Sequence, residues 1–268
     1  MKGSPARYVE RRIRSFKKKE EVALIPYITA FDPDKESTFE FLKYIADTNP
    51  ACIELGFPFS DPVADGPTIQ KAVVRALKNK PTFEEYLSLV FRFKEAYPEI
   101  PILCMTYYNI IYRFGHEKAV SEAKASGLDG FIIPDLPVEE AGPWLRANKG
   151  KGLATIFLSA PTSSLERIKK IAQVSKGFLY YVSLTGITGA RDKLPEDLVE
   201  RLKHIKAVIK IPLAVGFGIS RREHVEALLP YADALVVGSA LVSIVEKEGK
   251  KAGPQLKKFL LALKNAHP

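Results

Sequence analysis

A glutamate closes one short apolar run of this chain, Ala51-Cys52-Ile53-Glu54. Acids are seldom buried without cause. Glu54 therefore either points inward at the mouth of a fold or hides as a paired structural group. A desolvated carboxyl has a raised pKa, which suits it to shuttle protons near neutral pH. Asp65 follows eleven positions on, in a Gly/Pro/Asp loop over 56–66 that is long enough to fold back across such a mouth. Asp61 is a third carboxylate in that loop, and Asp before Pro is also a common turn former.

Glycines mark a second chemistry. Gly216-Phe217-Gly218-Ile219-Ser220 and Gly238-Ser239 each follow an apolar run. Glycine lets backbone N–H groups approach phosphate oxygens closely, and a helix N-terminus favours the charge. Ser239 can add a side-chain hydrogen bond as the first residue of a helix. The alternative is that these glycines only make tight turns. A longer stretch, Thr185-Gly186-Ile187-Thr188-Gly189-Ala190-Arg191-Asp192, reads either as a lid over a site or as an ordinary flexible loop.

Other chemistries find less support. The two cysteines, Cys52 and Cys104, sit in apolar runs and read as buried free thiols. The four histidines stand in scattered polar contexts, none paired at metal-ligand spacing, so no metal site is expected. A net charge of +9 raises nucleic-acid binding. The excess is spread along helices, though, and its densest cluster (Arg11, Arg12, Arg14 and Lys17 to Lys19) reads as a solvated face. A basic surface also steers anionic small molecules. No apolar run approaches the ~20 residues that span a bilayer, and no signal-like stretch follows the basic start, so the expected compartment is the cytoplasm.

These groups need elements to position them. Apolar runs at 22–28, 51–55, 101–105, 130–134, 153–159, 177–183, 211–215 and 234–237 alternate with amphipathic stretches. The runs are nearly continuous β-branched and aliphatic, as in strands buried on both faces. Eight strands, each followed by helix, predict a single (β/α)8 TIM barrel over 1–268, closed rather than open. Extra helices are expected at the N-terminus (5–19), after strand two (67–79 and 83–97) and after strand eight (239–247 and 254–266). No linker divides the chain. In such a barrel function lives in the loops after the strands, and those after strands seven and eight often hold phosphate.

The stretch from Glu54 to Gln70 closely resembles the signature of the tryptophan synthase alpha subunits. So do Pro26-Tyr27-Ile28-Thr29-Ala30, Met105-Thr106-Tyr107-Tyr108-Asn109, Pro134-Asp135-Leu136-Pro137, Gly186-Ile187-Thr188-Gly189 and Gly216-Phe217-Gly218-Ile219-Ser220, in order along almost the whole chain. The resemblance implies a carbon–carbon lyase of tryptophan biosynthesis. It would cleave indole-3-glycerol phosphate to indole and glyceraldehyde 3-phosphate by a retro-aldol step, with no metal or organic cofactor. Glu54 is then the principal acid/base, and Asp65 faces the indole N–H. Tyr180 matches the family's active-site tyrosine; within a Tyr180-Tyr181 pair it also reads as a core aromatic. The resemblance assigns the indole pocket to Tyr27, Met105, Ile132 and Phe217. It assigns the phosphate arm to Gly189, Gly218, Gly238 and Ser239, and the lid to Thr188. Tyr27 stands where phenylalanine is common in the family, and Leu184 where arginine is often seen.

The family resemblance also implies a partner, the pyridoxal-phosphate beta subunit, in an alpha-beta-beta-alpha heterotetramer. Matching contact positions are Pro58, Asp61, Asn109 and Pro137. No lysine of this chain sits in a pyridoxal-phosphate motif, so that cofactor belongs to the partner. Three rivals remain at this stage. One is another phosphate-barrel enzyme, which lacks support because no strand ends on a catalytic lysine. The others are a catalytically idle barrel kept as a binding partner, and a nucleic-acid binder.

Overall fold

The computed structural model describes residues 3–182, 196–216 and 218–265. Thr188, Gly189 and Phe217 lie outside the described residues.

Among the described residues nine parallel strand segments form one sheet: β1 (Leu24–Thr29), β2 (Ile53–Gly56), β3 (Ile102–Met105), β4 (Gly130–Ile132), β5 (Ala154–Ile156), β6 (Leu158–Ser159), β7 (Leu179–Val182), β8 (Leu213–Gly216) and β9 (Ala234–Val237). Their order is β5-β4-β3-β2-β1-β9-β8-β7-β6. The two end segments, β5 and β6, are consecutive in the chain with Phe157 between them. They are the halves of the single strand expected over 153–159. One half pairs with β4 and the other with β7, so the ring closes through this strand. The expected (β/α)8 barrel is therefore present, with strand five handing its ladder from one neighbour to the other at Phe157.

Side chains alternate between two apolar bodies, as strand geometry requires. Ile53, Leu55, Ile102, Cys104, Phe131 and Val215 face the surrounding helices. Ile25, Leu103, Ile132, Tyr180, Ala214 and Val236 fill the barrel. The N-terminal helix α1 (Pro5–Lys18) adds Ala6, Val9, Ile13 and Phe16 to that inner body. It plugs the barrel at the N-terminal ends of the strands, opposite the loops that follow them. Arg12 fastens it there, donating to the carbonyls of Pro50 and Ala51. This answers the basic start of the chain: Arg11, Arg14 and Lys17 to Lys19 face solvent and the apolar stripe closes the floor.

The extra helices stand where expected. After β2 come α3 (Pro67–Leu77) and α4 (Phe83–Ala96). Proline in the first turn begins α3, and the Thr82/Glu85 capping box begins α4. One helix escaped the pattern: after β3, α5 (Tyr108–Phe114) precedes α6 (His116–Ala125). Its aromatic and β-branched residues are poor helix formers. Its first N–H is satisfied by the Asp135 carboxylate at 2.8 Å, a cap brought from 27 residues away. Local periodicity carries no sign of that. Single helices serve the other strands, α2 (Lys35–Ala46) after β1, α7 (Gly142–Ala147) after β4, α8 (Leu165–Val174) after β6, α9 (Glu196–Val208) after β7 and α10 (Arg222–Leu228) after β8, and past β9 lie α11 (Ser239–Glu248) and α12 (Gly253–Lys264). No described helix is long and apolar enough to cross a membrane.

Candidate active site

Glu54 occupies the inward position of β2, between the outward Ile53 and Leu55. It is 1% exposed, and its Oε2 finds no hydrogen-bond partner among the described residues. Burial pushes its pKa up to about 8, and the negative charge of Asp65 adds to the rise. Glu54 points inward, and among the described residues no ion pair with it is formed. Buried polar groups without partners are rare in native folds and call for an explanation.

Asp65 does fold back over the mouth, since its charge reaches Glu54, Tyr27 and Tyr180. Burial raises its pKa to about 6, opposed by a hydrogen bond from the Tyr107 hydroxyl at 3.0 Å. Near neutrality Glu54 thus holds its proton while Asp65 is ionised. Two carboxyls of similar intrinsic strength are split by environment into an acid and an anion.

Three tyrosines surround the pair. Tyr27 and Glu54 are register partners on β1 and β2. The Tyr27 ring lies over Gly56, where a Cβ would sit 2.5 Å from its hydroxyl oxygen. That hydroxyl pairs with Thr29 Oγ1 at 3.2 Å, the partner that a buried phenol requires. Tyr180 stands opposite on β7, and a Cβ at Gly216 would meet its ring at 3.0 Å. Its hydroxyl is held far from ionisation by burial first and the Glu54 charge second. Tyr180 is therefore both a wall of the barrel interior and a neighbour of the acid. The third is Tyr107, to which the sequence pattern assigns no role. Its only local signal was its place just after a strand.

Tyr27 packs with Met105, Ile69, Ala72 and Val242, an apolar corner between β1, β3, α3 and α11. Met105 is also the register partner of Ile132 on β4. Sequence reasoning missed Ile69, Ala72 and Val242, which lie on helices whose inward faces only packing reveals. At the far side, Gly238 abuts Tyr27, and Ser239 opens α11 as its first residue. Gly218 adopts φ 64°, a left-handed conformation that favours glycine. The start of α11 thus adjoins the apolar corner around Tyr27, the register partner of Glu54.

Of the positions expected to meet a partner, Asp61, Asn109 and Pro137 are exposed on mouth-side segments. Pro58 is buried and forms part of the wall of a groove of about 570 Å³ with Phe59, Ile110 and Phe114.

A family model described as tryptophan synthase alpha chain matches residues 13–267. The tryptophan synthase alpha chain of Pyrococcus abyssi is 47% identical over 236 residues, covering 88% of this chain and 94% of that protein. The same-named protein of Aquifex aeolicus is 44% identical over 234 residues, covering 87% and 89%. Among solved structures, the tryptophan synthase A-subunit of Pyrococcus furiosus superposes with a TM-score of 0.85 at 45% identity, over 91% of this chain and 98% of that one. A structure of the tryptophan synthase a2b2 complex from the same organism gives 0.86 at 46% identity, over the same shares.

Proposed function

The chain belongs to the tryptophan synthase alpha chain family, and from that premise we propose that Glu54 and Asp65 divide the proton work of its reaction. The reaction is that of a carbon–carbon lyase: indole-3-glycerol phosphate is cleaved to indole and glyceraldehyde 3-phosphate, in tryptophan biosynthesis. The observation that carries the proposal is the buried Glu54, whose Oε2 has no hydrogen-bond partner among the described residues and whose pKa is pushed up to about 8, beside an Asp65 at about 6.

Indole C3 is a poor leaving group until it is protonated. Glu54 delivers that proton, and the resulting positive charge spreads to the ring nitrogen, where the Asp65 carboxylate stabilises it. The bond between C3 and the glycerol carbon then breaks, and its electrons restore the aromatic ring. The hydroxyl on that carbon becomes the aldehyde and returns a proton to the Glu54 carboxylate. The cycle closes with no net proton change. Tyr180 contributes shape and a neutral hydroxyl beside the acid.

The indole pocket of this reading is Tyr27, Met105, Ile132 and Phe217. Gly189, Gly218, Gly238 and Ser239 hold the phosphate, with Thr188 as the closing lid. The chain acts with the tryptophan synthase beta chain, through Asp61, Asn109 and Pro137 and the groove that Pro58 walls. It forms one barrel domain over 1–268, and we assign it to the cytoplasm.

The test is indole release by the purified chain, with and without a beta chain, beside Glu54→Gln and Asp65→Asn. Indole from wild type, nearly abolished by Glu54→Gln while substrate still binds, supports the assignment. A Glu54→Gln variant as active as wild type removes it.

A further inference from the structure

We propose that Tyr107 is a positioning residue for the lyase reaction: its hydroxyl holds and aims the Asp65 carboxylate. The inference rests on the reading that Asp65 takes part in that reaction.

Asp65 belongs to the loop between β2 and α3, where no strand ladder fixes it. Tyr107 supplies what the ladder does not. It is 4% exposed and sits just before α5, where its carbonyl accepts from the Ile110 N–H at 3.1 Å, so its own backbone is anchored. Its hydroxyl donates to Asp65 Oδ2 at 3.0 Å and accepts from the Ala64 N–H at 2.9 Å. One phenol oxygen therefore grips both the carboxylate and the peptide before it. The ring stacks on Phe59, at 5.2 Å between centroids, which holds the other limb of the same loop. The neighbouring Tyr108 N–H donates to Asp135 Oδ1 at 2.8 Å, which pins the start of α5 to the loop after β4. The three contacts made by Tyr107 converge on the catalytic loop from one rigid base.

The groups that face Asp65 are Glu54 from β2, Tyr27 from β1, Tyr180 from β7 and Tyr107 itself; Asp135 faces Tyr107 in turn. Glu54 is neutral in the working state, and the Tyr107 hydrogen bond favours the ionised form of Asp65 against the effect of burial. Loss of that bond both frees the carboxylate to rotate and raises its pKa.

The experiment compares indole release from indole-3-glycerol phosphate by wild type, Tyr107→Phe, Asp65→Asn and the double variant, with kcat and KM followed across pH and melting temperatures alongside. Phenylalanine keeps the ring and its stacking on Phe59. The expected result for Tyr107→Phe is a kcat lower by roughly ten- to hundredfold, as for loss of a hydrogen bond to a charged group. KM changes far less, and the acid limb of the kcat/KM profile moves to higher pH. In the Asp65→Asn background the same change costs little more, because the group being aimed is already gone. A Tyr107→Phe chain with the wild-type pH profile and kcat overturns the proposal, as does an equal fold-loss in the Asp65→Asn background. A wild-type chain that makes no indole even with a beta chain overturns the lyase reading itself.

Discussion

Glu54 and Asp65 carry the same functional group in two environments, and the proposed mechanism rests on that difference. On the proposed division of proton work Asp65 acts ionised, so the lyase rate is expected to fall as pH drops through about 6; Glu54 acts protonated, so the rate is expected to fall as pH rises through about 8. The expected kcat/KM profile is a bell between these limbs, and because the two charges interact, each limb belongs to the pair. A profile flat from about pH 5 to about pH 9 would remove both roles. The same burial has a cost in stability. The folded chain keeps the Glu54 proton up to about 8, whereas the unfolded chain releases it near the ordinary 4.5. Stability tied to this residue is thus intact in acid and is lost as pH rises between those values. Glu54→Gln carries no such penalty. Its melting temperature, relative to wild type, should climb steadily from about pH 5 to about pH 8; a constant difference would mean that Glu54 is not buried neutral.

At the scale of elements, the strands of the barrel set what the residues can touch. Gly56 is the place where β2 yields to the Tyr27 ring of β1. Gly56→Ala forces a Cβ to within 2.5 Å of the phenol oxygen, and the expected cost of the overpacking is about 1–3 kcal/mol. Combining it with Tyr27→Val, which removes the clashing ring, should cost less than the two single changes summed; additive losses in denaturant titrations would place the strain elsewhere. Helix α1 belongs to the opposite end. Ile13 is fully buried against the barrel interior, so Ile13→Ala should lower stability by about 2–5 kcal/mol. If calorimetry finds no loss, α1 is an ornament and not a plug.

At the scale of the molecule, the net charge of +9 and the exposed mouth face bear on what the barrel meets. A partner that buries Pro137 would have to desolvate any charge placed there. Pro137→Asp is therefore expected to weaken binding of the beta chain by roughly tenfold or more in titration calorimetry. Unchanged affinity would move the interface away from the loop after β4.

Much of this is legible in the amino-acid sequence. Burial on both faces leaves a barrel strand as a bare apolar run, so eight such runs at helix-length spacing already specify the closed architecture. Glu54 announced itself because a carboxylate ending such a run needs a reason, and the loop lengths gave Asp65 the reach to join it. Tertiary structure decided what no local pattern encodes. It set the pKa order of the two acids, which follows from how much water each has lost and which charge faces it. It formed α5, whose cap comes from Asp135 across the mouth, and it split strand five at Phe157, where one ladder ends and the next begins. It also brought Tyr107 onto Asp65, 42 residues away in the chain, through a single hydrogen bond. Sequence patterns report what a residue must bury, whereas the partners of buried polar groups are settled only when distant segments meet.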